Sequence, residues 1–553
     1  MSITSSALIA VSVRVLLCFL GLIILISCFC SMRIHRRGKS ILVILQDFQT
    51  KQEFPVLYWE NSIGRGKNCD IVINDNTISR NHAVLFRRKD GWFISDTHSK
   101  TGVLVNGEKI NSKTRLNLND KITFGHCSLT LRKASDSREI SSSYEPQEKT
   151  KPLRPARKLM FVTLFFAVML LQPLLEKRTV NMFAFVPTCL FLAIAWVFFF
   201  VTTKFLKRCT FELETLAIFL SGIGLTLISY ANVEESLIQV VSIAVGMILF
   251  CLVIWLIQNP DVVCKLRILI ALFAIALFVV NLVFAKEVNG ARNWIKIASL
   301  SIQPSEFIKI AFILVGSTTL DELQTTKNLT GFIAFTIICI CSLFLMKDFG
   351  TACVFFVAFL VISFLRSGSL RNLILSCSAA VIGVFMILNF KPYIKDRFSA
   401  WGHVWEHAND LGFQQTRVLT YSASGGLIGV GIGNGHLKNI FAATGDLMFG
   451  LVCEELGLTI AIIIALILAG FSFYAHSQSI KSRSTFYSIA SCAAATMLVF
   501  QSALHIFGIT DLLPLTGVTL PFVSLGGSSM ISSFGLLAFI KAADERTYSL
   551  KRS

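Results

Sequence analysis

None of the 15 cysteines belongs to a Cys-x-x-Cys pair, and most of them, including Cys18, Cys28, Cys251, Cys339, Cys341, Cys353 and Cys492, sit inside apolar runs. That excludes the usual zinc-ribbon spacing and offers no disulfide framework. These thiols read as small side chains buried in lipid. Acidic residues are also scarce, 33 Asp and Glu against 51 Lys and Arg, for a net charge of +18. The basic excess is spread in short clusters, the pattern of cytoplasmic loops in a membrane protein and not of a nucleic-acid surface. No nucleic-acid partner is expected. A cleavable leader pattern is missing too. The apolar run at 7–31 is followed by its charges (Arg33, Arg36, Arg37, Lys39), whereas a signal peptide carries them in front. Residues 1–39 are therefore expected to be a retained anchor with a basic stop, its C-terminal end in the cytoplasm. Arg14 interrupts its apolar run.

What is abundant is apolar surface. Of 553 residues, 54% are hydrophobic, and the mean hydropathy is +0.67. A soluble chain is about 45–50% apolar by a count that also includes glycine, so a polytopic membrane protein is the first expectation. Residues 40–132 depart from it. Short runs alternating apolar and polar residues (ILVIL, FPVLYW, DIVI, HAVLF, WFIS, GVLVNG, KITFG, SLTLRK) are separated by turns, which predicts a small all-β sandwich. Residues 133–158, rich in Ser, Glu, Lys, Arg and Pro, read as a disordered linker ending in a basic patch.

From 159 to 546 hydropathy predicts twelve further spans, near 159–175, 181–203, 212–230, 236–257, 266–285, 306–319, 330–346, 351–366, 371–389, 450–474, 486–508 and 522–542, before a tail at 547–553. Several are near or below the roughly 17-residue lower limit for a crossing helix. If the anchor leaves the chain inside, the basic loops (Lys204, Lys207, Arg208; Lys265, Arg267; Arg366, Arg371; Lys481, Arg483) and the tail all fall inside, as the positive-inside rule asks. The loops at 287–305, 347–350, 390–449 and 509–521 then share the outer face.

Every unusual polar motif lies on those outer loops. Arg292 stands in GARNWI, and Glu306 and Lys309 in QPSEFIK, three apart on one helix face and able to pair. Pro304 can open that helix. Asp348 in KDFGTA can cap the next one. The long 390–449 loop carries Lys391, Lys395, Arg397, His403, Trp405, Glu406, His407, Asp410, Gln414, Arg417 and Asp446, with paired glycines and a Gly429, Gly431, Gly433 ladder that reads as tight turns or close packing. His403, His407 and His436 are wrongly spaced for one helix face, so no protein-bound metal is expected.

In the β region, Gly64-Arg65, Ser79-Arg80-Asn81-His82, Ser99-Lys100-Thr101-Gly102 and Val105-Asn106-Gly107 closely resemble the forkhead-associated (FHA) pattern. The resemblance implies a phosphothreonine site made by Arg65 and Ser79, lined by Arg80, Lys100 and Thr101, with His82 structural, and a phosphothreonine-containing cytoplasmic protein as partner. Arg and loop hydroxyls suit phosphate chemically. Thr101 stands where the family usually has Asn.

In the membrane region, GARNWI, QPSEFIK, KDFGTA, SASGGLIGVGIGNG, TGDLMFGLVCEELGL and PLTGVTLPFVSLGGSS resemble, in family order, the signatures of the SEDS (FtsW/RodA/SpoVE) family. That implies a SEDS fold, usually of about ten spans, so two early helices would be additional. It implies a peptidoglycan glycosyltransferase that polymerises lipid II at the outer face of the bacterial cytoplasmic membrane alongside a class B penicillin-binding transpeptidase. A lipid-precursor flippase, or a decayed scaffold recruited through the FHA domain, are the alternatives. A carboxylate suits the general base, and cations suit the pyrophosphate leaving group. The family's Asp-bearing segment falls at Trp405–Gln414, where His407 occupies the Asp position. Asp410 is the preferred base, with Glu406 and His407 as alternatives. Arg292, Glu306, Lys309, Asp348, Arg397, Gln414, Arg417 and Asp446 are the expected substrate or pyrophosphate contacts. A Mg or Mn ion could arrive with the pyrophosphate.

Overall fold

The structure, a computed structural model, describes residues 3–34, 41–133 apart from 67–68, 89–90, 98 and 111–112, then 155–175, 182–205, 210–288, 291–297, 300–318, 326–390, 401–482 and 484–544. Arg397, the basic stop at 35–39, most of the linker and the tail lie outside the described residues.

Helix α1 (Ile3–Ile34) is mostly apolar and carries two charged residues, Arg14 within the apolar run and Arg33 near its end. The β domain follows as β1 (Val43–Asp47), β2 (Glu53–Val56), β3 (Glu60–Gly64), β4 (Ile71–Val72), β5 (Ala83–Arg88), β6 (Gly91–Asp96), β7 (Val103–Val105), β8 (Glu108–Lys109), β9 (Thr114–Leu116), β10 (Lys121–Phe124) and β11 (Cys127–Lys133). One sheet has the order β2-β1-β11-β10-β7-β8 and the other β4-β3-β5-β6-β9. Among the described strand pairs, β3 and β4 run parallel and the others antiparallel. Alternation in the sequence sets the inward faces: Leu45, Leu129, Leu131, Ile122 and Phe124 meet Ile63, Leu85 and Ile94 in one core.

The membrane-like part begins at α2 (Pro155–Leu175) and α3 (Phe185–Phe200), and continues with α4 (Glu212–Ala231), α5 (Val233–Ile257) and α6 (Pro260–Phe284). A small sheet β12 (Lys286–Val288), β13 (Ala291–Ile297) and β14 (Leu300–Ile302) leads into α7 (Pro304–Ser317), α8 (Thr326–Leu345), α9 (Phe349–Ser367) and α10 (Leu370–Phe390). After the 401–412 turns come α11 (Phe413–Ser424), α12 (Met448–Glu455), α13 (Leu458–Lys481), α14 (Thr485–Ile509) and α15 (Gly527–Ala542). Among the described residues nine helices are long and apolar enough to cross a membrane, and three shorter apolar ones accompany them. α4 is buried nearly all round, so it sits at the centre of the bundle.

Two expectations change. Helix α2 starts at Pro155, inside the expected linker. Proline suits a first helical turn, and Lys158 from the supposed basic patch is buried, donating to Glu212 at 2.8 Å and to Ser31. The span expected at 450–474 is broken into α12 and α13. Gly457 has φ +90°, and a Cβ there would strike the backbone of Leu427 and Gly429, so a left-handed glycine ends one helix and lets the neighbouring loop close on it.

The β domain rests on the end of the bundle where α14 begins. Glu60 accepts from the Ser484 hydroxyl at 3.2 Å and the Thr485 N–H at 2.8 Å, and Trp59 meets Tyr487 edge-on at 6.1 Å. The 401–457 segment lies at the opposite end, since it joins the end of α10 to the start of α13.

Candidate functional site

Pro304 opens α7, and within that helix the three-residue spacing places Glu306 and Lys309 on one face. Lys309 Nζ donates to Glu306 Oε1 at 2.7 Å and to Gln501 Oε1 of α14 at 2.7 Å. Ser532 of α15 donates to Glu306 Oε2 at 2.5 Å. Gln501 Nε2 in turn donates to the Thr519 carbonyl at 2.9 Å, and the Thr519 and Ser529 hydroxyls lie 2.6 Å apart. All these groups are buried or half-buried, and each charge in the network meets an opposite charge or a polar partner, which is the condition for keeping ions in an apolar interior.

One turn towards the bundle end, Asp348 caps α9 by accepting from the Thr351 N–H. Its other carboxylate oxygen accepts from Gln303 Nε2 at 2.9 Å and Asn293 Nδ2 at 3.3 Å. Arg292, beside Asn293 on β13, is exposed, and its backbone N–H is tied to the Met346 carbonyl. The last motif joins them: Ser528 Oγ accepts from the Gln303 N–H, Ser524 donates to the Gly445 carbonyl at 2.7 Å, and Leu525 N–H donates to the Thr444 carbonyl. Asp446 lies beside Gly517, where a Cβ would stand 3.5 Å from its Oδ2.

The glycine ladder packs on the α12 end. Val430 and Gly431 donate to the Glu454 and Glu455 carbonyls. The Glu455 carboxylate accepts from Gly433 N–H at 2.8 Å, and Glu454 accepts from His436 and Leu437 N–H. These two carboxylates hold loop backbone, as their hydrogen bonds show, and the ladder forms turns.

The candidate bases are elsewhere. Glu406 and Asp410 are exposed on the turns at 401–412. Asp410 Oδ1 accepts from the Leu411 N–H and faces His407 Nδ1 at 3.5 Å. Gln414 reaches the Phe441 carbonyl, and Arg417 stacks over Phe413. The structure thus brings Arg292, Glu306, Lys309, Asp348 and Asp446 to one bundle end and sets Asp410, Glu406 and His407 on an exposed turn beside it. Gln501, Ser532, Thr519, Gln303 and Asn293 were not singled out from the sequence. Asn293 stands in GARNWI, Gln303 in QPSEFIK and Thr519 in PLTGVTLPFVSLGGSS, whereas Gln501 and Ser532 are neutral residues within apolar runs and carry no signal.

At the β domain, loop tips gather the phosphate candidates. Ser79 Oγ accepts from the Lys100 N–H at 3.0 Å, Thr101 donates to the Thr77 carbonyl, and Arg65, exposed, donates to Asn76 Oδ1 at 2.6 Å. Arg80 is exposed at the same end. His82 is fully buried; its Nδ1 accepts from the Ser79 N–H at 3.1 Å and its Nε2 lies 3.0 Å from the Gly102 carbonyl. It ties the loops at Ser79 and Gly102 together.

Comparison with known proteins follows the same division. The family described as cell cycle protein (FtsW/RodA/SpoVE) matches residues 211–549, and the FHA domain matches residues 61–125. A probable peptidoglycan glycosyltransferase FtsW of Wigglesworthia glossinidia brevipalpis is 31% identical over 290 residues, covering 51% of this chain and 75% of the relative. The peptidoglycan glycosyltransferase RodA of Mycobacterium tuberculosis H37Rv is 26% identical over 353 residues, 58% of this chain and 75% of its own. A chain solved in a study of how a peptidoglycan synthase complex coordinates polymerization and crosslinking aligns with a TM-score of 0.52 at 22% identity, over 61% of this chain and 98% of that one. That likeness is one of fold.

Proposed function

The chain belongs to the FtsW/RodA/SpoVE family of cell cycle proteins, and on that premise we propose that it is a membrane glycosyltransferase polymerising lipid II at the outer face of the bacterial cytoplasmic membrane, in division, elongation or sporulation. The FHA domain and C-terminus face the cytoplasm, the 390–449 loop faces outward, and twelve spans follow the anchor. The observation that carries the reading is the convergence of distant motifs on one bundle end, around a fully paired Glu306–Lys309 core.

In this reading a sugar hydroxyl of one lipid-linked disaccharide attacks the anomeric carbon of another. Asp410 takes the hydroxyl proton, with His407 beside it and Glu406 as the alternative base. The anomeric C–O bond breaks, and its electron pair leaves on the lipid pyrophosphate. A preorganised base and preorganised cations lower this barrier without reorganising water. Arg292 and Arg417 are exposed cations of the kind the leaving group needs. Arg397 is assigned the same role from sequence alone. A divalent ion, where required, travels with the pyrophosphate. Lys309 serves differently: held by Glu306 and Gln501, it fixes the packing of α7 against α14. Glu306, Asp348, Gln414 and Asp446 shape the substrate end. Arg65, Ser79, Arg80, Lys100 and Thr101 bind a phosphothreonine protein, and a class B penicillin-binding transpeptidase crosslinks the product.

Purified full-length protein incubated with lipid II tests this. Glycan polymer is expected, and Asp410→Ala should lower its rate by about 10²–10⁴-fold. Normal polymer from Asp410→Asn together with loss in Glu406→Gln moves the base to Glu406. Lipid movement across vesicles without polymer overturns the polymerase in favour of a flippase.

A further inference from the structure

Three helices, α1, α2 and α3, precede the family-matched residues. Two of them, α1 and α2, reach the glycine loop with polar side chains. Arg14, in the apolar α1, donates from Nη1 to the Gly429 carbonyl at 2.9 Å. Gln172 of α2 is 1% exposed. Gly431 has φ +99°, and a Cβ there would lie 2.7 Å from Gln172 Nε2 and 2.8 Å from Arg14 Nη2. The two donors occupy the space that only a missing side chain leaves open. The other side of the loop is held by α12 through Glu454 and Glu455. An arginine inside an apolar span is costly to insert, up to about 2.5–3.5 kcal/mol at the helix centre, and nothing in anchoring requires one. A planar guanidinium with five donors suits a loop whose carbonyls point inward.

We propose that Arg14 and Gln172 are positioning residues: the helices added ahead of the family core form the second wall of the glycine loop and fix the outer segment that carries the candidate base. This rests on the polymerase reading for its consequence in turnover, but not for the contact itself. α1 is also held at its other end, where Ser31 donates to Glu212 at 2.7 Å, just before the chain enters the FHA domain. The helix is therefore fixed at both ends and spans the distance between the cytoplasmic module and the outer loop.

The test uses the purified full chain carrying Ile432→Cys, a loop position that is 2% exposed, and follows its labelling by a water-soluble maleimide by mass spectrometry of the peptide around position 432, which separates it from the 15 native cysteines. Arg14→Leu, which makes the anchor more apolar and so keeps its insertion, should speed labelling about tenfold, the equivalent of one lost hydrogen bond to a charged donor. Gln172→Leu should act in the same direction, and Arg14→Lys, which keeps a donor, should restore protection. Unchanged labelling in both leucine variants overturns the proposal. So does equal acceleration at a Val518→Cys control, which would mean general loosening. Polymerisation of lipid II gives the second readout: kcat/KM falls in Arg14→Leu and recovers in Arg14→Lys. If the parent makes no polymer while the labelling pattern holds, the polymerase reading fails and the positioning role stands.

Discussion

Two acid–base pairs, each three residues apart, sit at the same end of this molecule and live by different rules. Glu306 and Lys309 are 4% and 2% exposed and 2.7 Å apart, with Gln501 and Ser532 taking up further valences. His407 and Asp410 are 37% and 67% exposed and 3.5 Å apart, with little else holding the carboxylate beyond the next backbone N–H. In the interior an unpaired charge is so costly that the fold must complete every contact. At the surface water supplies what the protein does not, and an ion pair is worth about 0–1 kcal/mol. The first pair is therefore architecture, and the second leaves a solvent-facing carboxylate, as the proposed base requires.

The largest effect expected from this contrast is at the buried pair. Lys309→Ala leaves the Glu306 carboxylate without its cation and should cost about 3–5 kcal/mol, read as a lowered denaturation midpoint in detergent. The double change Glu306→Gln with Lys309→Met removes both charges and should recover most of that loss. If the double variant is as unstable as the single one, the pair is not held by charge balance and the contrast collapses.

A second, smaller effect tests whether the β domain is seated on the bundle or merely tethered. Glu60 caps the first turn of α14, the helix that carries Gln501 at its other half. Glu60→Ala should cost about 1 kcal/mol, as lost helix caps do. Hydrogen exchange at the Thr485 amide should speed accordingly, with exchange in the α15 interior unchanged. An unaltered Thr485 amide would mean that the domain floats.

How much of this was legible in the sequence depended on range. Most strands of the β domain could be read because period-two alternation is local, whereas the short β3, β8 and β9 fell outside the alternating runs. His82 as a structural residue followed from the Ser79-Arg80-Asn81-His82 motif. The Glu306–Lys309 pair and the Asp348 cap were also local, three residues or one helix turn long. Gln501 and Ser532 were hidden because their partners lie 192 and 226 residues away, and a glutamine or serine in an apolar helix announces nothing. The break at Gly457 was hidden because hydropathy runs through it while the left-handed φ does not show. Arg14 was visible as an oddity in an apolar run, but its partner is 415 residues distant. The 401–412 turn was the least legible part, since the expected carboxylate position holds His407 and two exposed acids, Glu406 and Asp410, flank it.

The smallest predicted stability effect is therefore the most informative one. Asp410→Asn replaces an exposed carboxylate whose described contacts are its neighbour's N–H and a 3.5 Å histidine. Surface changes of that kind stay within about 0.5 kcal/mol, so the denaturation midpoint should not move. The amide keeps an oxygen for the Leu411 N–H and loses only the ability to take a proton. A base whose removal abolishes polymerisation while leaving stability untouched is separated from the architectural acids, each of which should fail both measurements together. If Asp410→Asn instead lowers the midpoint as Lys309→Ala does, the turn is part of the packed frame, and the base must be sought in Glu406 or His407.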